Sequence, residues 1–215
     1  AVGDYAGAIE NFEKMEDRTD SLGQIADYHM AYSYIKMKNK VAAMEAFREA
    51  SMRSWDKSIE KDAMFNYAKL AFDLNTDVSV FREYLRRYPE TDSQDIYGYI
   101  ALTALYSRDY QGAIDAYDNI DELTGEMRRN YVKANYLRAK QLLSAGSFRA
   151  AVPCLKAVTF YSDGNDSFNQ LARYWLAEAY YRSGSYADAV SVSRSLYNIS
   201  ALGGTQEGSL IPYNI

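Results

Sequence analysis

The chain has 215 residues, 48% of them hydrophobic, and a net charge of −5. That is enough apolar material for a substantial core, and it lacks the basic excess a phosphate-gripping protein needs, so the composition argues against nucleic-acid binding. Three prolines and twelve glycines suit an all-helical protein, a single cysteine excludes an internal disulfide or a multi-cysteine metal site, and no run of about 18 apolar residues is present to span a membrane.

No signal peptide is visible. The chain starts without methionine, and its first helical phrase, "VGDYAGAI" at 2–9, has no partner helix before it, which predicts a fragment or a processed chain. That phrase joins a turn pair to an aromatic, two free positions, an alanine and a β-branched aliphatic. It returns as "SRDYQGAI" (107–114), "AGSFRAAV" (145–152) and "SGSYADAV" (183–190). Weaker copies are "NKVAAMEAF", with Ala43 in the alanine slot, and "NTDVSVFREYLRRYP", with Asp77 there. The slots Ala8, Ala43, Asp77, Ala113, Ala151 and Ala189 are 35, 34, 36, 38 and 38 residues apart. A period near 34 with two helices per unit is a repeat signature.

In chain order the repeats read as follows. A half-repeat covers 1–19. Repeats of two helices then run over about 21–57, 58–91, 92–127, 128–165 and 166–200, and 201–215 is a tail. In 21–57, Ser21 with Gln24 reads as a capping box. Met30, Ala31 and Tyr34 make an apolar stripe, and His29, the only histidine, lies beside it in a packing role. In 58–91, Asp77 replaces the small alanine. Burying a carboxylate there is costly, so Asp77 or Thr76 is expected to cap a second helix that starts late, leaving this repeat the most distorted.

In 92–127, Asp92 or Ser93 caps the first helix and Ile100, Ala101 and Ala104 form its stripe. In 128–165, Thr124 is the cap, Cys154 is a buried inert thiol, and Pro153 is expected to kink the second helix or shift its start. In 166–200, Ser167 with Gln170 reads as another capping box, with Leu176, Ala177 and Tyr180 as the stripe. The pairs Arg108-Asp109, Ala145-Gly146 and Ser183-Gly184 end first helices. Alanines such as Ala177 and Ala189 let two antiparallel helices approach closely, and Tyr186 is expected to pack over that contact. A lone hairpin cannot bury its apolar face, so copies stack. "GGTQEG" at 203–208 follows the last helix and opens none, which suits a flexible tail.

This register resembles the tetratricopeptide repeat family. The last repeat carries Leu176, Ala177, Tyr180, Tyr186 and Ala189, with Ser193 where an aromatic is usual. The 21–57 repeat carries Ala31, Tyr34, Ala43, Phe47 and Ala50, and the 58–91 repeat closes with Phe81 and Pro89. The resemblance implies an all-α fold, an α-α superhelix of about five helical hairpins plus a leading half-repeat. It also implies a concave groove lined by the first helix of each repeat. Carried onto this chain, the groove positions are Tyr28 and Tyr32, with Ile25 and Ile35 beyond; then Asp62, Asn66 and Lys69; then Gly98 and Leu102; then Arg129, Lys133, Tyr136 and Lys140; then Tyr174, Glu178 and Tyr181.

Tyrosine, 21 of the residues here, supplies contact area with a polar tip and few rotors to freeze, which suits recognition. Arg129, Lys133 and Lys140 form a basic stripe suited to an acidic peptide or a C-terminal carboxylate. The carboxylate clamp of chaperone-binding members is matched only in part by Asn66 and Lys69. "YLRRYPETD" at 84–92 looks like a junction of bacterial cell-envelope members, which points to a periplasmic or outer-membrane-associated location rather than the cytoplasm.

Chemistry is sparse. One histidine makes a catalytic triad hard to build, no phosphate-cradling glycine loop is present, and the carboxylates fall at solvated helix spacings. The sequence therefore predicts a non-enzymatic scaffold with no cofactor and no metal, binding an extended peptide or a partner's helix. The rivals are an envelope carbohydrate-binding protein using Trp55, Trp175 and tyrosines as platforms, and a self-associating structural array. No oligomeric state follows from the residues.

Overall fold

The computed structural model describes residues 3–14, 20–90, 93–164 and 166–196. The expected cap Asp92 and the 201–215 tail, with its glycine-rich stretch, lie outside them. The described residues form eleven helices and no strand: α1 (Tyr5–Glu13), α2 (Ser21–Lys36), α3 (Lys40–Met52), α4 (Lys57–Asn75), α5 (Ser79–Arg87), α6 (Gln94–Tyr106), α7 (Tyr110–Tyr117), α8 (Gly125–Ser144), α9 (Phe148–Tyr161), α10 (Ser167–Arg182) and α11 (Tyr186–Leu196). The chain divides into two units, residues 1–96 and Tyr97 onward. In the first, α1 packs on α2, α2 on α3, α3 on α4 and α4 on α5, and α2 also touches α4. In the second, α7, α8, α9, α10 and α11 pack in that order. Paired helices joined by short turns and stacked on their sequence neighbours are the α-α superhelical architecture.

The alanine slots explain the close helix approach. Ala31 and Ala43 on α2 and α3, Ala101 and Ala113 on α6 and α7, and Ala177 and Ala189 on α10 and α11 are all buried. Phe47, Phe81, Tyr117 and Leu155 fill the spaces between helices. Tyr186 does not pack over the alanine contact as expected. It opens α11 but is 62% exposed, with its ring against Tyr181 at 5.6 Å.

Four turns share one geometry. Lys38, Arg108, Gly146 and Gly184 take positive φ, at 61°, 64°, 71° and 83°. In each, the next N–H reaches back five residues: Asn39 to the Tyr34 carbonyl, Asp109 to Ala104, Ser147 to Leu142 and Ser185 to Tyr180, at 2.8–2.9 Å. This is the Schellman closure. The turn after α4 differs. Thr76 is left-handed (φ 55°), but the Asp77 N–H reaches back six residues, to the Ala71 carbonyl at 3.4 Å. Asp77 then accepts the Ser79 N–H at 2.8 Å, and α5 starts at Ser79. The carboxylate in the alanine slot thus stands before its helix and stays exposed, which removes the burial cost.

The capping boxes are corrected by one residue. Asp20 caps α2, accepting the Gly23 N–H at 3.0 Å, and Asp166 caps α10, accepting from Phe168 N–H. A carboxylate in extended backbone just ahead of the helix is the stronger acceptor for its dipole. Thr124 caps α8 as expected. Pro153 shifts no start, since α9 begins at Phe148, in register with Tyr110 and Tyr186, and continues to Tyr161. Cys154 is buried, and that burial pushes its thiol pKa up.

Candidate functional site

In the first unit, α2 and α4 bring four polar side chains to one place. Tyr28 and Tyr32 are one turn apart on α2, and Asp62 and Asn66 are one turn apart on α4. Asp62 Oδ2 accepts three hydrogen bonds, from the Tyr28 hydroxyl at 2.6 Å, the Asn66 amide at 2.9 Å and the Tyr32 hydroxyl at 3.2 Å. The two tyrosine rings meet edge-on at 5.0 Å and both lean on buried Phe47. Burial, and then the bond to Asp62, push the Tyr28 phenol pKa well up. Lys69, two turns beyond Asp62, is exposed, with its ammonium over the Phe65 ring. His29 stacks on Phe12 of α1 and meets the edge of Tyr28, a packing role.

In the second unit, a half-enclosed cleft of about 390 Å³ lies between the first half of α8, the end of α9 and the start of α10. Arg128, Arg129, Val132 and Lys133 line one side. Tyr161, Ser162, Asp163, Asp166 and Phe168 line the other. Phe168 is exposed and stands edge-on to Tyr136 at 5.0 Å. Asp166 spends a carboxylate oxygen on the α10 cap. Arg128, Arg129, Lys133 and Lys140 hold no ion pair among the described residues. Lys140 continues the same α8 face, exposed.

The remaining expected positions fare differently. Tyr174 is corrected: it is 5% exposed, in the core with Leu196, beside Leu171 and Trp175, so it offers no recognition surface. It shares its side of α10 with buried Gln170 and Ala177, one turn before and after it. Trp175 packs partly buried on the same cluster. Glu178 is tied to Arg182 at 2.8 Å, and Tyr181 leans on Tyr186. Ile35 is half-buried against the α2–α3 core, and a side chain on Gly98 would come within 2.9 Å of Met127. Sequence reading missed Arg128, Tyr161 and Phe168. Only Phe168 had a signal, an aromatic one residue past a helix start.

Residues 26–50 and 136–200 each match a tetratricopeptide repeat family model. The chain carries tetratricopeptide repeats. No curated protein matches the chain. The tetratricopeptide stretches hold Tyr28, Tyr32, Tyr136, Lys140 and Phe168. Such repeats generally mediate protein–protein interaction. Among the described residues no helix is long and apolar enough to cross a membrane.

Proposed function

We propose that the protein is a non-enzymatic interaction scaffold whose second unit holds an extended segment of a partner protein in the α8–α10 cleft. An acidic side chain of that segment meets Arg128, Arg129 and Lys133, and a neighbouring apolar side chain rests on Phe168 and Tyr161. One observation carries this reading: three cations without ion pairs among the described residues line a cleft whose far wall is exposed aromatic surface. Unpaired cations attract and orient an acidic partner, while a desolvated aromatic supplies contact energy. The acids Asp163 and Asp166 on the far wall select the register, since a second acidic side chain placed there would be repelled.

The test is calorimetric titration of the full chain with peptides taken from a displayed random library. Selected binders should pair an acidic residue with an aromatic or aliphatic one. The double variant R129A/K133A should weaken them by about tenfold or more while leaving the circular dichroism unchanged. Selection of basic or neutral binders, or unchanged affinity in the double variant, would overturn the assignment.

A further inference from the structure

The first unit has its own unsatisfied chemistry, of the opposite sign. Asp62 is half-buried and forms no ion pair among the described residues. The lysines of its helix are turned to other work: Lys57 pairs with Glu60, Lys61 lies over Tyr88, and Lys69 lies over Phe65. All three neutral donors converge on Oδ2. The other oxygen, Oδ1, accepts no bond from the described residues and is not sealed from solvent. Beside the carboxylate stands Tyr32, its hydroxyl 3.2 Å from Oδ2 and its ring 38% exposed and set edge-on to both Tyr28 and Phe47.

We infer that this α2–α4 face is a docking subsite for an arginine side chain of a partner polypeptide. A carboxylate held in place by three neutral hydrogen bonds keeps its negative charge uncompensated, and a cation is the complement it lacks. The planar guanidinium fits better than an ammonium. It donates to Oδ1 in plane and lays its face on the neighbouring Tyr32 ring, whereas lysine offers one compact, strongly hydrated charge. The Tyr28 and Asn66 bonds pre-set the carboxylate, so little rotamer freedom remains to be lost on binding. The subsite stands in a different unit from the α8–α10 cleft and takes the opposite charge, so either can fail without the other.

Nuclear magnetic resonance titration of the full chain tests it with three blocked tripeptides: acetyl-Gly-Arg-Gly-amide, its lysine analogue and its glutamate analogue. The arginine peptide should shift the amide signals of Tyr28, Tyr32, Asp62 and Asn66 in a saturable way at millimolar concentration. The lysine peptide should bind more weakly, and the glutamate peptide should leave those signals in place. D62N keeps an acceptor for Tyr28 and should reduce arginine-peptide affinity about tenfold, the loss of one charge-assisted pair. Y32F keeps the ring and should retain most of the affinity. In the wild-type chain, raising salt from about 0.05 to about 0.5 M should weaken the arginine peptide as well. The inference is overturned if the glutamate peptide moves the same signals equally, if no signal at these residues saturates, or if a folded D62N binds as the wild type does.

Discussion

Gln24 is fully buried, and both ends of its amide go to the segment joining α3 to α4. Its Oε1 accepts the Asp56 N–H at 2.7 Å, and its Nε2 donates to the carbonyls of Arg53 at 2.7 Å, Asp56 at 3.2 Å and Ala50 at 3.3 Å. Asp56 in turn caps α4 by accepting the Ser58 and Ile59 N–H groups. Asp27, one turn further along α2, holds Arg53 at 3.0 Å. One helix thus fixes where the next repeat begins. Gln24→Leu fills the same space but takes the amide partner from the part-buried Asp56 N–H and Arg53 carbonyl, while the Asp56 and Ala50 carbonyls keep the Glu60 and Arg53 N–H groups. It should cost about 2–4 kcal/mol, read as a lower urea midpoint with an unchanged slope. A loss under about 0.5 kcal/mol would mean that water replaces the amide at no cost.

At the scale of the element, the closing turns separate what each residue type contributes. All four Schellman closures demand positive φ, yet two place glycine there and two place Lys38 and Arg108. A side chain in that conformation costs about 1–2 kcal/mol, of which a glycine recovers part after its own entropy cost is counted. K38G and R108G should therefore each raise stability by about 0.5–1 kcal/mol, and G184A should lower it by about 1 kcal/mol, in chemical denaturation. A destabilised R108G would show that the arginine side chain contributes more than its backbone costs. Three of these turns were legible in the sequence, from Gly146, Gly184 and the Arg108-Asp109 pair, which are local signals; the Lys38-Asn39 turn, without a glycine, was not read. The caps of α2 and α10 were misread by one residue, since serine and aspartate stand side by side at 20–21 and 166–167 and local chemistry alone does not choose between them. Asp77 was legible because a carboxylate in an alanine slot has one cheap resolution, a helix that starts after it.

For the whole molecule, the repeat period fixed the helices and the buried alanines, because those contacts join sequence neighbours. It placed Tyr28, Tyr32, Asn66 and Asp62 on facing turns. It did not place Phe168 across from Tyr136, nor turn Tyr174 inward, because those outcomes depend on the rotation of α10 in the second unit. Ionisable groups give a prediction at this scale. In the first unit Arg86 and then Arg87, hydrogen-bonded to Glu83, hold its carboxyl at about 2, below the ordinary 4.5. Burial opposes the charge on Glu60, but bonds from Lys57, Tyr88 and Ser54 outweigh it and lower that carboxyl too. A depressed carboxyl stabilises the fold above its unfolded value and loses that contribution as pH falls. Acid should therefore erode stability from about pH 4.5 down towards 2. Burial, then the bond to Glu60, push Tyr88 up to about 12. A raised phenol stabilises the fold below its unfolded value, so alkali should erode stability between about pH 10 and 12. Urea midpoints measured across pH should thus form a plateau with two shoulders. E83Q should flatten the acid shoulder and Y88F the alkaline one. If both variants keep the wild-type slopes at their own shoulders, these pairs do not set the pH limits of the fold.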